Sequence, residues 1–360
     1  MVYGPWFVVG VVRAIVYGPS SMVGVVPTGP SSMVGCTNPK ELLLMKNPPP
    51  ATFGQLRPPN NNYTYFEDKN ALPFRDKAST FDKVNSGWLA DFAMLAYGSE
   101  KFIQDHLDAS GLSADGFQMK FFSVKTTQCF VVHNDKFVVL SFRGTEMDNF
   151  YGAITDWALD LEFALVPDQS GGLVHDGFQD GINDIWPELK QYLQPLLSDG
   201  TGRTLWITGH SLGAALATLG AERAKNEANF DVRGVYPYGS PRVGDGAFAQ
   251  HYAQLGLNEI TYRFVYDVDV VPKVPPPILY THVGKLKYFD SAGHLHELES
   301  GAEAGLEPHL PSNTRSWLHQ LSFLGHAGIS FLANPFKIII PAPLADHAPI
   351  YYACYAWNSV

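Results

Sequence analysis

Thr204-Leu-Trp-Ile-Thr208, Gly209-His210-Ser211-Leu212-Gly213 and Ala214-Ala-Leu-Ala217 follow one another without a break. They read as a buried strand, a glycine-flanked serine and the start of a helix, the order of a nucleophile elbow. The glycines permit a reversal sharp enough to project the serine hydroxyl at the tip of the turn. The amides that follow point into the same space from a helix N-terminus. A reactive alcohol and an anion-stabilising dipole are thus delivered together. The same residues also suit a tight strand-to-helix turn with no chemistry, so the partners that such a serine needs must decide.

A serine hydroxyl is a poor nucleophile near neutral pH and requires a base, which works best when a carboxylate holds its tautomer. An apolar run at 260–265 ends in Tyr266-Asp267-Val268-Asp269-Val270-Val271-Pro272, placing two carboxylates at a strand's C-terminal edge, where sheets of this kind collect ligands. Either Asp267 or Asp269 suits the orienting acid, the other being a solvated turn residue. The histidine is less determined among the twelve in the chain. His282, His294, His296 and His309 stand in loose, Gly-rich sequence, whereas His319, His326 and His347 adjoin apolar stretches. His294-Leu-His296-Glu297 has alternating ligand types but no second paired set, so a solvated loop is preferred to a metal site. His210 lies beside the serine, pointed away from the base position, and reads as a packing and hydrogen-bonding residue. For the oxyanion, one donor is the Leu212 amide and the second should come from Arg143-Gly144-Thr145, after the run Val138–Phe142.

The elements that must position these groups follow from periodicity. Trp88, Phe92 and Leu95 recur at helical spacing, the helix is closed by Gly98, and Ser99 can cap the next. Residues 117–123, 130–133 and 137–142 read as strands, the last two joined by a hairpin at Asn134-Asp135. Ile182, Ile185, Trp186, Leu189 and Leu193 form one apolar helical face, which Pro187 is expected to bend or restart. A strand at 204–208, a helix at 211–225 and strands at 232–238 and 260–265 complete an alternation that predicts an α/β fold with a parallel central sheet.

The 360 residues, 46% hydrophobic, bury one large core. The net charge of -10 leaves no basic stripe for a phosphate backbone, so nucleic acid is excluded as a partner. Charged residues make up only 17% and aromatics 13%, which suits an apolar binding region as well as a core. Cys36, Cys129 and Cys354 are too widely spaced for a disulfide framework or a zinc site, and Cys129 is expected in the core. Residues 1–36 carry one charge, Arg13, and repeat Gly-Pro-Ser-Ser-Met-Val-Gly at 18–24 and 29–35. They contain no apolar run long enough to span a membrane. Met33-Val34-Gly35-Cys36 is similar to a bacterial lipoprotein cleavage box, although the preceding segment lacks a positive start. Secretion, a lipoprotein anchor and a soluble chain therefore stay open. Residues 1–62 are expected to be a leader and a Pro/Asn-rich linker, extended or disordered, and residues 63–360 a single α/β domain.

Taken jointly, the motifs resemble the class 3 triacylglycerol lipases, a family of α/β hydrolases that includes secreted fungal lipases and bacterial and plant esterases. The resemblance spans roughly residues 80–357. Phe142-Arg-Gly-Thr145 is similar to the family's oxyanion segment, Val174-His-Asp-Gly-Phe178 to its strand-to-helix motif, and Tyr238-Gly-Ser-Pro-Arg-Val-Gly244 to a strand end. Asp269-Val-Val-Pro272 with Pro275-Pro276 resembles the acid motif, His282-Val-Gly284 with Tyr288 an antiparallel edge hairpin, and Asp346-His347 with Tyr352 the closing histidine segment. The resemblance implies Ser211 as nucleophile, His347 as base, Asp269 as orienting acid, and Thr145 and Leu212 as oxyanion donors. It implies an acyl-enzyme and no cofactor. The substrate implied is a lipid or other ester, met at a lipid–water interface in a true lipase, with no obligate protein partner. A phospholipase A1 or feruloyl-type esterase would use the same residues, and a non-catalytic lipase-like interaction protein is the reading from another class. Two features depart from the family: the cysteines of the fungal enzymes are missing, and nearly 80 residues, including apolar 317–332 and 336–340, separate Asp269 from His347. Residues 146–154, with Met147, Phe150, Tyr151 and Ile154 on one face, suit a lid helix or ordinary packing.

Overall fold

The computed structural model describes residues 14–17, 56–145, 164–169, 171–275, 277–298, 338–341 and 345–360. The proposed lid at 146–154, His309, His319, His326, Cys36 and the apolar stretch 317–332 lie outside the described residues. Most of the leader and residues 336–337 do as well.

The strands are β1 Ala14–Tyr17, β2 Gln118–Val124, β3 Thr127–His133, β4 Phe137–Phe142, β5 Leu165–Pro167, β6 Leu173–His175, β7 Thr204–His210, β8 Val232–Tyr238, β9 Tyr262–Tyr266, β10 Lys285–Phe289, β11 Leu295–Glu297 and β12 Ile338–Pro341. The helices are α1 Lys83–Leu95, α2 Glu100–Ala109, α3 Asp176–Leu197, α4 Leu212–Asn226, α5 Gly246–Gln254 and α6 Pro349–Asn358. Among the described residues, eight strands form one sheet in the order β11-β10-β9-β8-β7-β4-β3-β2. Every pairing from β4 through β7, β8 and β9 to β10 is parallel. The edges are antiparallel hairpins, β2–β3–β4 on one side and β10–β11 on the other. The segment after Gly284 forms the expected antiparallel edge hairpin, β10–β11, whose first strand runs parallel to β9.

Side-chain alternation splits the apolar residues of each strand between two cores. Phe130, Val132, Phe137, Val139, Trp206, Tyr236 and Tyr238 face the layer of α1 and α6. Val131, Val138, Leu140, Leu205, Ile207 and Val235 face the layer of α3 and α4. Cys129 lies in the second core, as its apolar surroundings implied. With helices on both faces of a mostly parallel sheet, the architecture is the α/β-hydrolase fold.

Local signals account for the helix ends. Asp82 accepts the Asn85 amide at the start of α1, and Ser99 the Phe102 amide at the start of α2. Asn134 closes the β3–β4 hairpin by accepting the Lys136 and Phe137 amides at 2.9 and 3.0 Å. The helix is not restarted at Pro187: α3 runs through Pro187 and Pro195 as a single 22-residue span. Burial of Phe178, Ile182, Ile185, Trp186, Leu189 and Leu193 along one stripe outweighs the hydrogen bond that each proline removes.

The layer of α1 and α6 places the end of the chain. Gly87 lies flush against the Trp357 indole, where a Cβ would come within 2.5 Å of the ring. The buried Asp91 carboxylate accepts the Tyr63 hydroxyl at 2.8 Å and the Phe66 amide at 2.7 Å, and also bonds Trp357. These contacts seat α6 on α1, and α6 begins two residues after His347.

Candidate active site

Ser211 stands between β7 and α4 with φ 60° and ψ -128°, a conformation that costs a non-glycine residue about 1–3 kcal/mol. Three glycines make it possible by letting backbone meet backbone. A Cβ at Gly209 would fall 2.3 Å from the Gly213 carbonyl oxygen, and one at Gly213 would fall 2.3 Å from the Phe142 carbonyl oxygen. A Cβ at Gly144 would reach within 2.7 Å of the His210 carbonyl oxygen. The end of β4, the elbow and the first turn of α4 are thereby pressed together. Leu212 is the first residue of α4, where the helix makes no use of its amide, and Thr145 ends the described part of the loop after β4. Both expected oxyanion donors therefore belong to segments in direct contact.

The carboxylate comes from the turn after β9. Asp269 is fully buried, and its Oδ2 and Oδ1 lie 2.8 and 3.1 Å from Nδ1 of His347, itself fully buried. Oδ1 also accepts the Val271 amide at 2.9 Å, and Oδ2 the Tyr352 hydroxyl at 2.5 Å. The same Tyr352 oxygen accepts the Tyr266 amide at 3.1 Å, so α6 is pinned to the strand that carries the acid. With Nδ1 donating to Asp269, the neutral imidazole carries its lone pair on Nε2, the tautomer that a general base requires. Asp267, the other candidate acid, is half-buried in the same turn. Its amide bonds the Phe289 carbonyl at 2.8 Å and its φ is 37°.

Ser211 and His347 both lie against the end of β8. The Ser211 amide donates to the Tyr238 carbonyl at 3.0 Å. The next residue, Gly239, has φ 57° and lies against the dyad: a Cβ there would sit 2.9 Å from His347 Cε1 and 3.1 Å from Asp269 Oδ2. On the other side the His210 ring lies over His347, with centroids 4.5 Å apart and 34° between planes. Ser211, Asp269 and His347 thus arrive at one point of the sheet's C-terminal edge, from β7, β9 and the start of α6.

The acid turn is held by side chains that sequence reading left without a role. Arg242, almost fully buried, donates to the carbonyls of Lys273 and Pro275 at 2.7 and 2.8 Å. His282, expected in loose sequence, instead donates Nε2 to the Pro272 carbonyl at 2.8 Å. Burial, with the nearby Arg263 and Arg242 charges, holds its pKa well below the ordinary histidine value. His175 stacks on Phe178 at 4.3 Å, and burial lowers its pKa too. His294 and His296 both reach the Asp290 carboxylate, at 3.4 and 2.9 Å, near the surface. Among the described residues, no three His, Cys, Asp or Glu side chains group as metal ligands.

Residues 139–278 match the family model Lipase (class 3), a span that takes in the oxyanion segment, the elbow and the acid turn. Over this span the chain is similar to the class 3 lipases. It is 33% identical over 162 residues to a lipase of Rhizomucor miehei, covering 42% of this chain and 41% of that one. It is 31% identical over 156 residues to the secreted mono- and diacylglycerol lipase A of Penicillium cyclopium, covering 42% and 48%. The chain thus matches less than half the length of these relatives. Among solved structures, a mutant form of the Penicillium cyclopium enzyme shares the fold at TM-score 0.51 and 23% identity, covering 65% of this chain and 92% of that one. A deletion mutant of the Rhizomucor miehei lipase in its propeptide complex gives TM-score 0.51 at 25% identity, covering 72% and 82%.

Proposed function

We propose that the chain is a serine hydrolase that cleaves carboxylic esters of lipids, with Ser211 as nucleophile, His347 as base and Asp269 as orienting acid. The observation that carries this reading is the buried Asp269–His347 pair lying against Gly239, beside a serine at positive φ. In this mechanism His347 Nε2 takes the proton as Ser211 Oγ attacks the ester carbonyl. The Leu212 amide and the loop at Thr145 receive the developing oxyanion, and His347 returns the proton to the leaving alcohol. Water then repeats the sequence on the acyl-enzyme. Asp269 stays ionised throughout and stabilises the imidazolium, a role that its two further donors support. The relatives named lipase and mono- and diacylglycerol lipase favour glycerides as the ester class.

A panel of p-nitrophenyl esters and emulsified glycerides tests the reading. Ser211→Ala should lower turnover by at least about a thousandfold with the fold intact, since a triad nucleophile has no substitute. His347→Ala should be comparably damaging, and His319→Ala and His326→Ala should keep most activity. Retained turnover in Ser211→Ala would sink the mechanism, and a dead His326→Ala would move the base elsewhere.

A further inference from the structure

His210 is fully buried in the middle of the elbow and takes no part in the proton transfers just described. Its ring is enclosed by three others: His347 at 4.5 Å, Tyr352 at 5.6 Å and Tyr97 at 5.9 Å between centroids. The Tyr97 hydroxyl lies 2.8 Å from His210 Nδ1. The His347 backbone favours a proton on the side of the His210 ring away from Tyr97. A neutral imidazole has one donor and one acceptor nitrogen, so the nitrogen facing Tyr97 accepts. The Tyr97 O–H is thus bonded to a ring whose face lies against His347. The same hydroxyl is packed against the loop after β4, where a Cβ at Gly144 would fall 2.0 Å from it. One oxygen, on the turn after α1, touches both the support of the base and the segment expected to hold the oxyanion.

We propose that Tyr97 and His210 are a positioning pair that fixes the His347 ring and ties its place to the loop carrying Thr145. The inference rests on His347 being the base. Neither residue reaches substrate. His210 presents a neutral, hydrogen-bonded face that stops the His347 ring from swinging off the Ser211–Asp269 line, and Tyr97 holds His210 in the orientation that this requires. A stacked imidazole with Nδ1 held by Tyr97 does this at small cost, because its rotamer is set by packing against three rings. Among the described residues, His210 from β7, Asp269 from the turn after β9 and Gly239 from β8 lie against His347.

The test uses the full chain and a short soluble ester, p-nitrophenyl butyrate. Tyr97→Phe removes one oxygen and leaves the ring, and should lower kcat by about 10- to 100-fold with KM within about twofold, the size of loss that a misplaced group produces. His210→Ala should do the same, and His210→Gln, which retains a donor and an acceptor, should restore most of kcat. The low-field proton resonance of His347 Nδ1–H, sharp in the parent, should broaden in Tyr97→Phe and recover its sharpness in His210→Gln. An unchanged kcat in Tyr97→Phe would overturn the proposal. So would a loss in which kcat falls only in step with the folded fraction, measured by thermal unfolding, with no rescue by glutamine. If His210→Ala fails to fold, Tyr97→Phe and the resonance still decide. Failure of the underlying mechanism is distinguishable, because His347→Ala would then remain active.

Discussion

Asp269 and Asp267 are two positions apart in identical chemical dress, and the structure separates them by burial and partners. Asp269→Asn should lower kcat about ten-thousandfold, because an amide facing His347 Nδ1 favours the tautomer unable to accept the serine proton. Asp267→Asn should stay within severalfold; equal losses would mean that both serve one site. Gly239 makes a sharper demand. With φ 57° and His347 and Asp269 both within about contact distance of a would-be Cβ, Gly239→Ala should lower kcat by about a hundredfold while the protein stays folded, read by steady-state kinetics beside circular dichroism. Ordinary activity there would show that the dyad can shift without loss. The serine, its glycines and both aspartates were legible from local spacing, since an elbow is a local object. Tyr97 was not, because its partner His210 is 113 residues away and no spacing records that bond. Arg242 and His282 were missed for the same reason: they hold the acid turn by donating to carbonyls, which have no sequence signature.

Strands β4 and β8 agree with their expected limits because alternating and continuous apolar runs are strong signals, whereas α3 overrode its prolines through tertiary burial. The elements that place His347 were the least legible, since the seat of α6 depends on a small residue, Gly87, and a buried carboxylate, Asp91, both on α1. Burial raises the Asp91 pKa to about 7, against hydrogen bonds from Phe66, Tyr63 and Trp357 that lower it. Burial, with Asp168 close by, raises that of Glu222 on α4 to about 7 as well. A carboxyl whose folded pKa lies above its unfolded value of about 4 binds more protons in the native state. Its contribution is then full below about pH 4 and is lost as pH rises through about 7. Urea unfolding should accordingly show a higher midpoint at pH 5 than at pH 8. Asp91→Asn should flatten part of that slope, and Glu222→Gln part of the remainder. An unaltered slope in both variants would assign the pH dependence to other groups.

At the scale of the whole chain, the question is what the first residues contribute to the catalytic unit. The segment 1–36 offers little regular periodicity, yet Ala14–Tyr17 forms a strand that pairs antiparallel with Ile338–Pro341, in register Ala14 with Pro341 through Tyr17 with Ile338. That two-stranded ladder is separate from the eight-stranded sheet. Its second strand ends six residues before His347, and the described contacts of His347 come from other parts, namely Asp269, Gly239 and His210. A two-stranded ribbon is marginal by itself, so its loss should cost the domain little. We expect a protein lacking residues 1–36 to remain soluble, to unfold with an unchanged urea midpoint, and to hydrolyse p-nitrophenyl butyrate within about twofold of the full chain. If kcat instead collapses while the midpoint holds, the pairing with 338–341 is what guides the chain into the His347 position. If the midpoint itself falls by an amount that urea titration resolves, the leader is part of the folded domain and the boundary near residue 62 is misplaced.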